Sequence, residues 1–189
     1  MAMKPGERRL QILQTLAAML ENPRSEKVTT AALAKKLDVS EAALYRHFAS
    51  KAQMYEGLIE FIETTLFSFV NRITTETIEG VAQVEQTVVM MLSFAEKNPG
   101  MTRVLIGEAL VNEDERLQAR INLLTDKLEA ALRQSFRIAQ AANGWHGDPQ
   151  ADAAVLIAYV LGRWQLFAKS GFKRLPQEGW PLQRKFLFG

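Results

Sequence analysis

Residues 29–48 read TTAALAKKLDVSEAALYRHF, and this stretch decides the fold: two short helices joined by a tight turn, with hydroxyl side chains ahead of each. Thr29 and Thr30 stand before the run AALAKKL, where a hydroxyl oxygen accepts from the unpaired N–H groups of a first helical turn. Leu33 and Leu37 are four apart on one face while Lys35 and Lys36 point elsewhere, which makes a two-turn amphipathic helix with a basic outer side. Asp38 falls where the turn requires a left-handed backbone. Glycine is the commonest solution there, and aspartate tolerates it through local hydrogen bonding. Val39 fills the gap between the helices. Ser40 caps the second helix, which carries Ala43 rather than Glu at the capping-box position, while Glu41 suits the positive helix N-terminus. This second helix is expected to run from Glu41 to about Phe48.

On the second helix Leu44 and Phe48 are four apart and go inward. Glu41, Ala42, Tyr45, Arg46 and His47 are then spread over the sides that face a partner. Small side chains at Ala42 and Ala43 suit close approach to base edges, and a methyl group can touch the thymine methyl. Tyr45, His47 and Lys51 are donors suited to phosphate oxygens, which fix register without carrying sequence information. With Thr29, Thr30, Ser40 and Arg46, these residues form the candidate DNA-binding set.

The alternative is an ordinary helical hairpin with a solvated face, and charge placement argues against it. Residues 1–51 hold nine Lys or Arg against five Asp or Glu, whereas the remaining 138 residues hold 14 against 16. The basic excess is confined to the segment with the motif, as attraction to phosphate requires.

The stretch VTTAALAKKLDVSEAALYRHFASKAQMYEGLI resembles the DNA-binding domain of the TetR family, whose signature is this helix pair followed by Y-x-x-F-x-x-K and a long linking helix. Tyr45, Phe48 and Lys51 occupy those places. The resemblance implies a homodimer in which two copies of the Glu41 to Phe48 helix enter successive major grooves of a pseudo-palindromic site. It also implies an all-α fold: an N-terminal three-helix bundle with the helix-turn-helix over residues 1–51, and a C-terminal helical dimerisation and partner-binding domain over 52–189.

The remainder of the chain is read from its punctuation. A first helix is expected from roughly Gly6 to Glu21, with Leu10, Leu13, Ala17 and Leu20 on one face, ended by Asn22-Pro23-Arg24-Ser25. A long helix from about Lys51 to Thr75 carries Met54, Leu58, Phe61, Ile62, Leu66, Phe69, Val70 and Ile73. Gly80 breaks the pattern. Another helix, about Val81 to Asn98, stops at Asn98-Pro99-Gly100, and Met101 to Leu110 is expected as a short helix. From Glu113 to about Ala142 apolar residues recur at Leu117, Ile121, Leu124, Leu128, Leu132 and Phe136, giving a one-faced helix whose acidic start is Glu113, Asp114 and Glu115.

After a loop at residues 143–149, Asp152 and Arg163 bracket the ten uncharged residues AAVLIAYVLG, followed by Trp164, Leu166 and Phe167. A membrane span needs about 20 such residues, so burial on two sides is the better explanation. One side is the domain's own core and the other a second subunit. An isologous four-helix bundle through the 113–142 and 152–167 helices is expected, because two half-sites add their binding free energies. The ends MAMKPGE and QRKFLFG carry little signal and are read as flexible.

Composition excludes several classes. With 48% apolar and 23% charged residues in 189, the chain is an ordinary globular protein with enough length for a sizeable core. Cysteine is absent and the two histidines, His47 and His146, have no partner spacing, so no metal site and no cofactor are expected. There is no Gly-rich phosphate loop, no nucleophile with a histidine base and no paired catalytic carboxylates, so an enzyme is not expected. No signal peptide is read, and a cytoplasmic, nucleoid-associated location is expected.

Within the TetR family a narrower resemblance follows from FAEKNPGMTRVLIGEAL, ERLQARINLLTDKLEAALRQ, SGFKRLP and WPL, which are similar to the nucleoid occlusion factors, a subfamily of cell-division regulators. That resemblance implies that the DNA-bound dimer binds the tubulin-like division protein FtsZ and disrupts its polymers. The FtsZ-facing positions it implies are Phe61, Met90, Ser93, Lys97 and Asn98. Lys97 replaces an arginine, Met90 a leucine, Ser93 a glycine, and nearby Phe69 an arginine. The alternative is a repressor with a small-molecule pocket lined by Met54, Met90, Met91, Phe94, Met101 and Trp164, since methionine adapts to varied ligands.

Overall fold

A computed structural model describes residues 5–22 and 28–188. The terminator expected at residues 23–25 lies outside them. Every regular element among the described residues is helical: α1 (Pro5–Leu20), α2 (Thr30–Lys36), α3 (Glu41–Tyr45), α4 (Lys51–Glu76), α5 (Gly80–Lys97), α6 (Pro99–Leu105), a 3-10 turn (Glu108–Leu110), α7 (Glu115–Ala141), α8 (Pro149–Lys169) and α9 (Trp180–Phe188). Two compact units divide them. The first holds the described residues up to Ile62 together with Asn98–Ile121, and the second holds Glu63–Lys97 with the described residues from Asn122 on.

In the first unit α1 packs against α2 and α6, and α2 against α3. The core is built from Ile12, Leu13, Leu16, Ala17 and Leu20 of α1 with Leu33, Leu44, Phe48, Met54, Tyr55 and Leu58. Leu10, expected inside, is 40% exposed, because the buried arc of α1 is centred on Leu13 and Leu16. Gly100 permits the close approach of α6 to α1: a Cβ there would stand 1.9 Å from the Ala17 carbonyl oxygen. Arg103 of α6 donates to the Leu20 and Asn22 carbonyls at 3.0 and 3.2 Å and so closes the C-terminal end of α1.

In the second unit α5 packs on α8. Leu124, Leu128, Leu132 and Phe136 of α7 are all buried, as the period expects, and so are Leu117 and Ile121 in the first unit. Phe61, Phe69 and Ile73 of α4 are only half-buried. Gly80 opens α5 rather than merely ending a pattern. It is buried, and a Cβ would lie 2.3 Å from the Ala139 nitrogen, so a bare backbone is what lets α5 meet α7.

The apolar run sits inside a longer helix than its ten uncharged residues suggest. α8 has 21 residues and is long and apolar enough to cross a membrane. One side is nevertheless built into a protein core, with Ala153, Leu156, Ile157, Val160, Trp164 and Phe167 buried and the Trp164 indole donating to the Met91 carbonyl at 3.1 Å. The opposite side, with Ala154, Val155, Ala158, Gly162 and Leu166, is exposed.

The sequence also conceals α9. Trp180–Phe188 is helical although the end reads as flexible, because aromatic contacts substitute for a buried face. Tyr159 lies 6.0 Å from Trp180, and Phe188 lies 6.3 Å from Trp145 and 6.4 Å from Trp180. Arg184 grips Glu85 with two bonds of 2.7 and 2.6 Å.

Candidate nucleic-acid interface

Thr29 caps α2, its hydroxyl accepting from the Ala32 N–H at 3.1 Å. Asp38 adopts φ 53°, and the chain leaves α2 through two backbone bonds, Val39 N–H to the Ala34 carbonyl and Asp38 N–H to the Lys35 carbonyl. This is a Schellman ending with aspartate in the glycine place. Ser40 then caps α3, accepting from the Ala43 N–H at 3.2 Å.

α3 is shorter than expected. It ends at Tyr45, and the chain tightens through His47 N–H and Phe48 N–H, both donating to the Leu44 carbonyl at 2.9 and 3.1 Å. That tightening lets Leu44 and Phe48 both sit buried while the chain turns toward α4. Ser50 and Gln53 together cap α4, the serine hydroxyl accepting from the Gln53 N–H and the Gln53 side-chain Oε1 accepting from the Ala49 N–H, one residue before the cap. The pattern S-x-x-Q at positions 50–53 carries this signal.

The outward side of α3 presents Glu41, Ala42, Tyr45 and Arg46, with Ala43 and His47 half-buried. Glu41 is tied back to α2, accepting from the Thr30 hydroxyl at 2.6 Å, and the Tyr45 hydroxyl lies 3.5 Å from the same Thr30 oxygen. Thr30, Glu41 and Tyr45 therefore form one linked group. Arg46, His47 and Arg8 of α1 line a cleft of about 190 Å³ beside Ala43, which brings two guanidinium groups next to the small-residue side of α3.

Lys51 stands differently from the rest. Its ammonium lies 2.5 Å from Glu113 and 5.6 Å above the Tyr55 ring, and it is only partly exposed. Glu113 is thus an ion-pair partner just outside α7, which begins at Glu115. Asp114 accepts from Arg116 instead, and these bonds hold its carboxyl down at about 2. Of the expected acidic start, Glu115 alone lies in the first turn. Burial, reinforced by the Glu113 charge and opposed by Arg103, pushes the Tyr55 hydroxyl up to about 12.

Two contributors escape sequence reasoning. Arg9 donates to the His47 carbonyl at 2.5 Å and stacks over Phe48 at 4.1 Å, and Glu113 meets Lys51 from 62 positions away. No local pattern encodes either partnership.

The positions implied for FtsZ fall in both units. Met90, Ser93 and Lys97 share one side of α5 at spacings of three and four, the first two half-buried and Lys97 exposed. Phe61 and Asn98, both half-buried, belong to the first unit. Phe69 lies 5.3 Å beneath the Arg72 guanidinium. The six residues of the alternative pocket are likewise divided: Met54 and Met101 are buried in the first unit, and Met91, Phe94 and Trp164 are buried in the second with Met90 at its edge.

Residues 25–58 match the family described as bacterial regulatory proteins, tetR family. Residues 78–189 match the SlmA-like family described as tetracyclin repressor-like, C-terminal domain. The chain is 48% identical over 187 residues to the nucleoid occlusion factor SlmA of Marinomonas sp. (strain MWYL1), covering 97% of this chain and 94% of that relative. Over 176 residues it is 48% identical to the nucleoid occlusion factor SlmA of Vibrio cholerae serotype O1, covering 92% and 90%. Among solved structures, the fatty acid degradation regulator FadR from Bacillus halodurans has the same fold, with TM-score 0.80 at 14% identity over 99% of this chain and 97% of that one.

Proposed function

This chain belongs to the TetR family with an SlmA-like C-terminal domain, and from that premise we propose that it is a DNA-binding homodimer acting as a nucleoid occlusion factor. Bound to DNA, it antagonises FtsZ polymerisation and so blocks division over the chromosome. The observation that carries this reading is the extent of the relationship: 48% identity runs through nearly the whole of both chains, including the C-terminal part where TetR-type regulators otherwise share little beyond fold.

Residues 1–51 serve DNA and 52–189 serve dimerisation and the protein partner. The capped α3 supplies Ala42, Ala43 and Arg46 to the major groove, with Glu41 oriented by Thr30. In this reading Tyr45, His47 and Lys51 hold phosphates and fix register, with Thr29 and Ser40 completing the DNA-facing set. The exposed stripe Ala154, Val155, Ala158, Gly162 and Leu166 on α8 supports an isologous seam. Nothing lies within 4 Å of a Cβ built at Gly162, and small residues let two copies of one helix approach closely. Phe61, Met90, Ser93, Lys97 and Asn98 are the positions assigned to FtsZ. The location that follows is the nucleoid.

The test recovers bound fragments from sheared genomic DNA, then follows FtsZ assembly by sedimentation with and without the preferred fragment. Sites scattered over the chromosome and FtsZ polymer loss only when DNA is present support the reading. One site beside the protein's own gene, release by a small molecule and no effect on FtsZ would make it a local repressor.

A further inference from the structure

The reading helix has five residues, Glu41–Tyr45, and a helix of that length is unstable on its own in water. Its orientation is therefore imposed by what grips its two ends. At the start Ser40 does so through its cap. At the far end the Leu44 carbonyl accepts from the His47 and Phe48 N–H groups, and the segment that leaves the helix is held in turn, the His47 carbonyl accepting from Arg9 at 2.5 Å. Arg9 lies 38 positions earlier, on α1.

The same guanidinium stands 4.1 Å above the centre of the Phe48 ring, and Phe48 is buried. α4 also confines that ring: a Cβ at Gly57 would meet Phe48 Cε1 at 3.0 Å. One side chain of α1 thus holds both the backbone and the anchoring aromatic at the exit of the reading helix. A planar guanidinium can donate and stack at once, whereas a lysine ammonium supplies charge and a donor without the plane.

We propose that Arg9 is a positioning residue for DNA reading: it clamps the C-terminal end of α3 through the His47 carbonyl and the Phe48 ring, and so sets sequence discrimination without touching a base. This deepens the DNA-binding reading above and rests on it. A cation that merely neutralised phosphate would raise affinity for all sequences alike and would tolerate exchange for lysine. Arg72 provides an internal control, because its guanidinium also stacks on an aromatic ring, that of Phe69 at 5.3 Å, but does so within α4 and belongs to no part of the DNA-binding set.

The test uses the full chain as wild type, Arg9→Lys and Arg72→Lys. Each is titrated at several salt concentrations against a duplex selected by the wild type and a scrambled duplex of equal length, and amide hydrogen exchange is measured without DNA. Arg9→Lys is expected to lose about tenfold in affinity for the selected duplex and to stay within about twofold on the scrambled one, with an unchanged salt slope. The His47 and Phe48 amides are expected to exchange faster in that variant, and Arg72→Lys is expected to match wild type throughout. The proposal is overturned if Arg9→Lys matches wild type on both duplexes, or if it loses equally on both. Unaltered exchange at His47 and Phe48 would remove the clamp alone, whereas a wild-type chain that retains neither duplex would remove the DNA-binding reading itself.

Discussion

Lys51 Nζ and Glu113 Oε1 lie 2.5 Å apart across 62 positions of chain, joining the first residue of α4 to the segment before α7. The side chains are 22% and 10% exposed, so the pair is partly withdrawn from water and less screened than a surface bridge. The phosphate contact proposed for Lys51 requires its ammonium to leave this carboxylate, an exchange that a duplex favours because its field is denser than that of one carboxyl group.

Lys51→Met is accordingly expected to weaken binding to every duplex and to lower the salt slope by about 1. Glu113→Gln is expected to leave the slope intact and the affinity equal or higher, since Lys51 then has no competing anion. Anisotropy titrations across salt concentrations decide it. Equal losses in both variants would restrict the pair to a folding role.

Gly100→Ala is expected to destabilise the first unit by about 3 kcal/mol, the upper end of the usual overpacking cost. The Cβ would strike the Ala17 carbonyl, a backbone atom that cannot rotate aside. Denaturant midpoints check this, with Gly6→Ala as comparison because nothing lies within 4 Å of its Cβ.

Tyr55 gives the alkaline limb a sign. Its hydroxyl is raised from 10.0 to about 12 in the folded chain, so the folded state resists losing a proton that the unfolded state releases. The stabilisation is complete below pH 10 and is lost as pH climbs through that interval. Tyr55→Phe is expected to flatten stability between pH 10 and 12, measured by urea unfolding at fixed pH steps. An unchanged slope there would show that another group governs the alkaline limb.

The α8 stripe predicts the oligomeric state. Ala158→Glu places a charge at the middle of the exposed apolar side and is expected to convert a dimer to monomers in sedimentation equilibrium while helix content is retained. DNA affinity is expected to fall steeply, because a single half-site forfeits the contribution of its twin. A monomeric wild type, or a dimer untouched by the change, would move the seam elsewhere.

Local chemistry was legible residue by residue. Hydroxyl caps at Thr29 and Ser40, a left-handed Asp38 and the 3.6-residue recurrence from Leu117 to Phe136 follow from backbone sterics and burial, and each appears where the pattern places it. The basic excess before residue 52 was legible for the same reason, since charge needs no fold to be counted. α9 was not, because its contacts are aromatic and distant in sequence while its own exposed side carries Leu182 and Phe186.

The sequence by itself thus determined the helical class, the turn between α2 and α3, and that Ala42 faces outward from α3, because those depend on neighbours within a few positions. Only the tertiary structure decided that Arg9 holds the end of α3, that Glu113 holds Lys51, and that Gly80 and Gly100 are sites of backbone approach. These partnerships join residues far apart in the chain, and which distant groups meet is settled by how helices pack and not by the order of residues along any one of them.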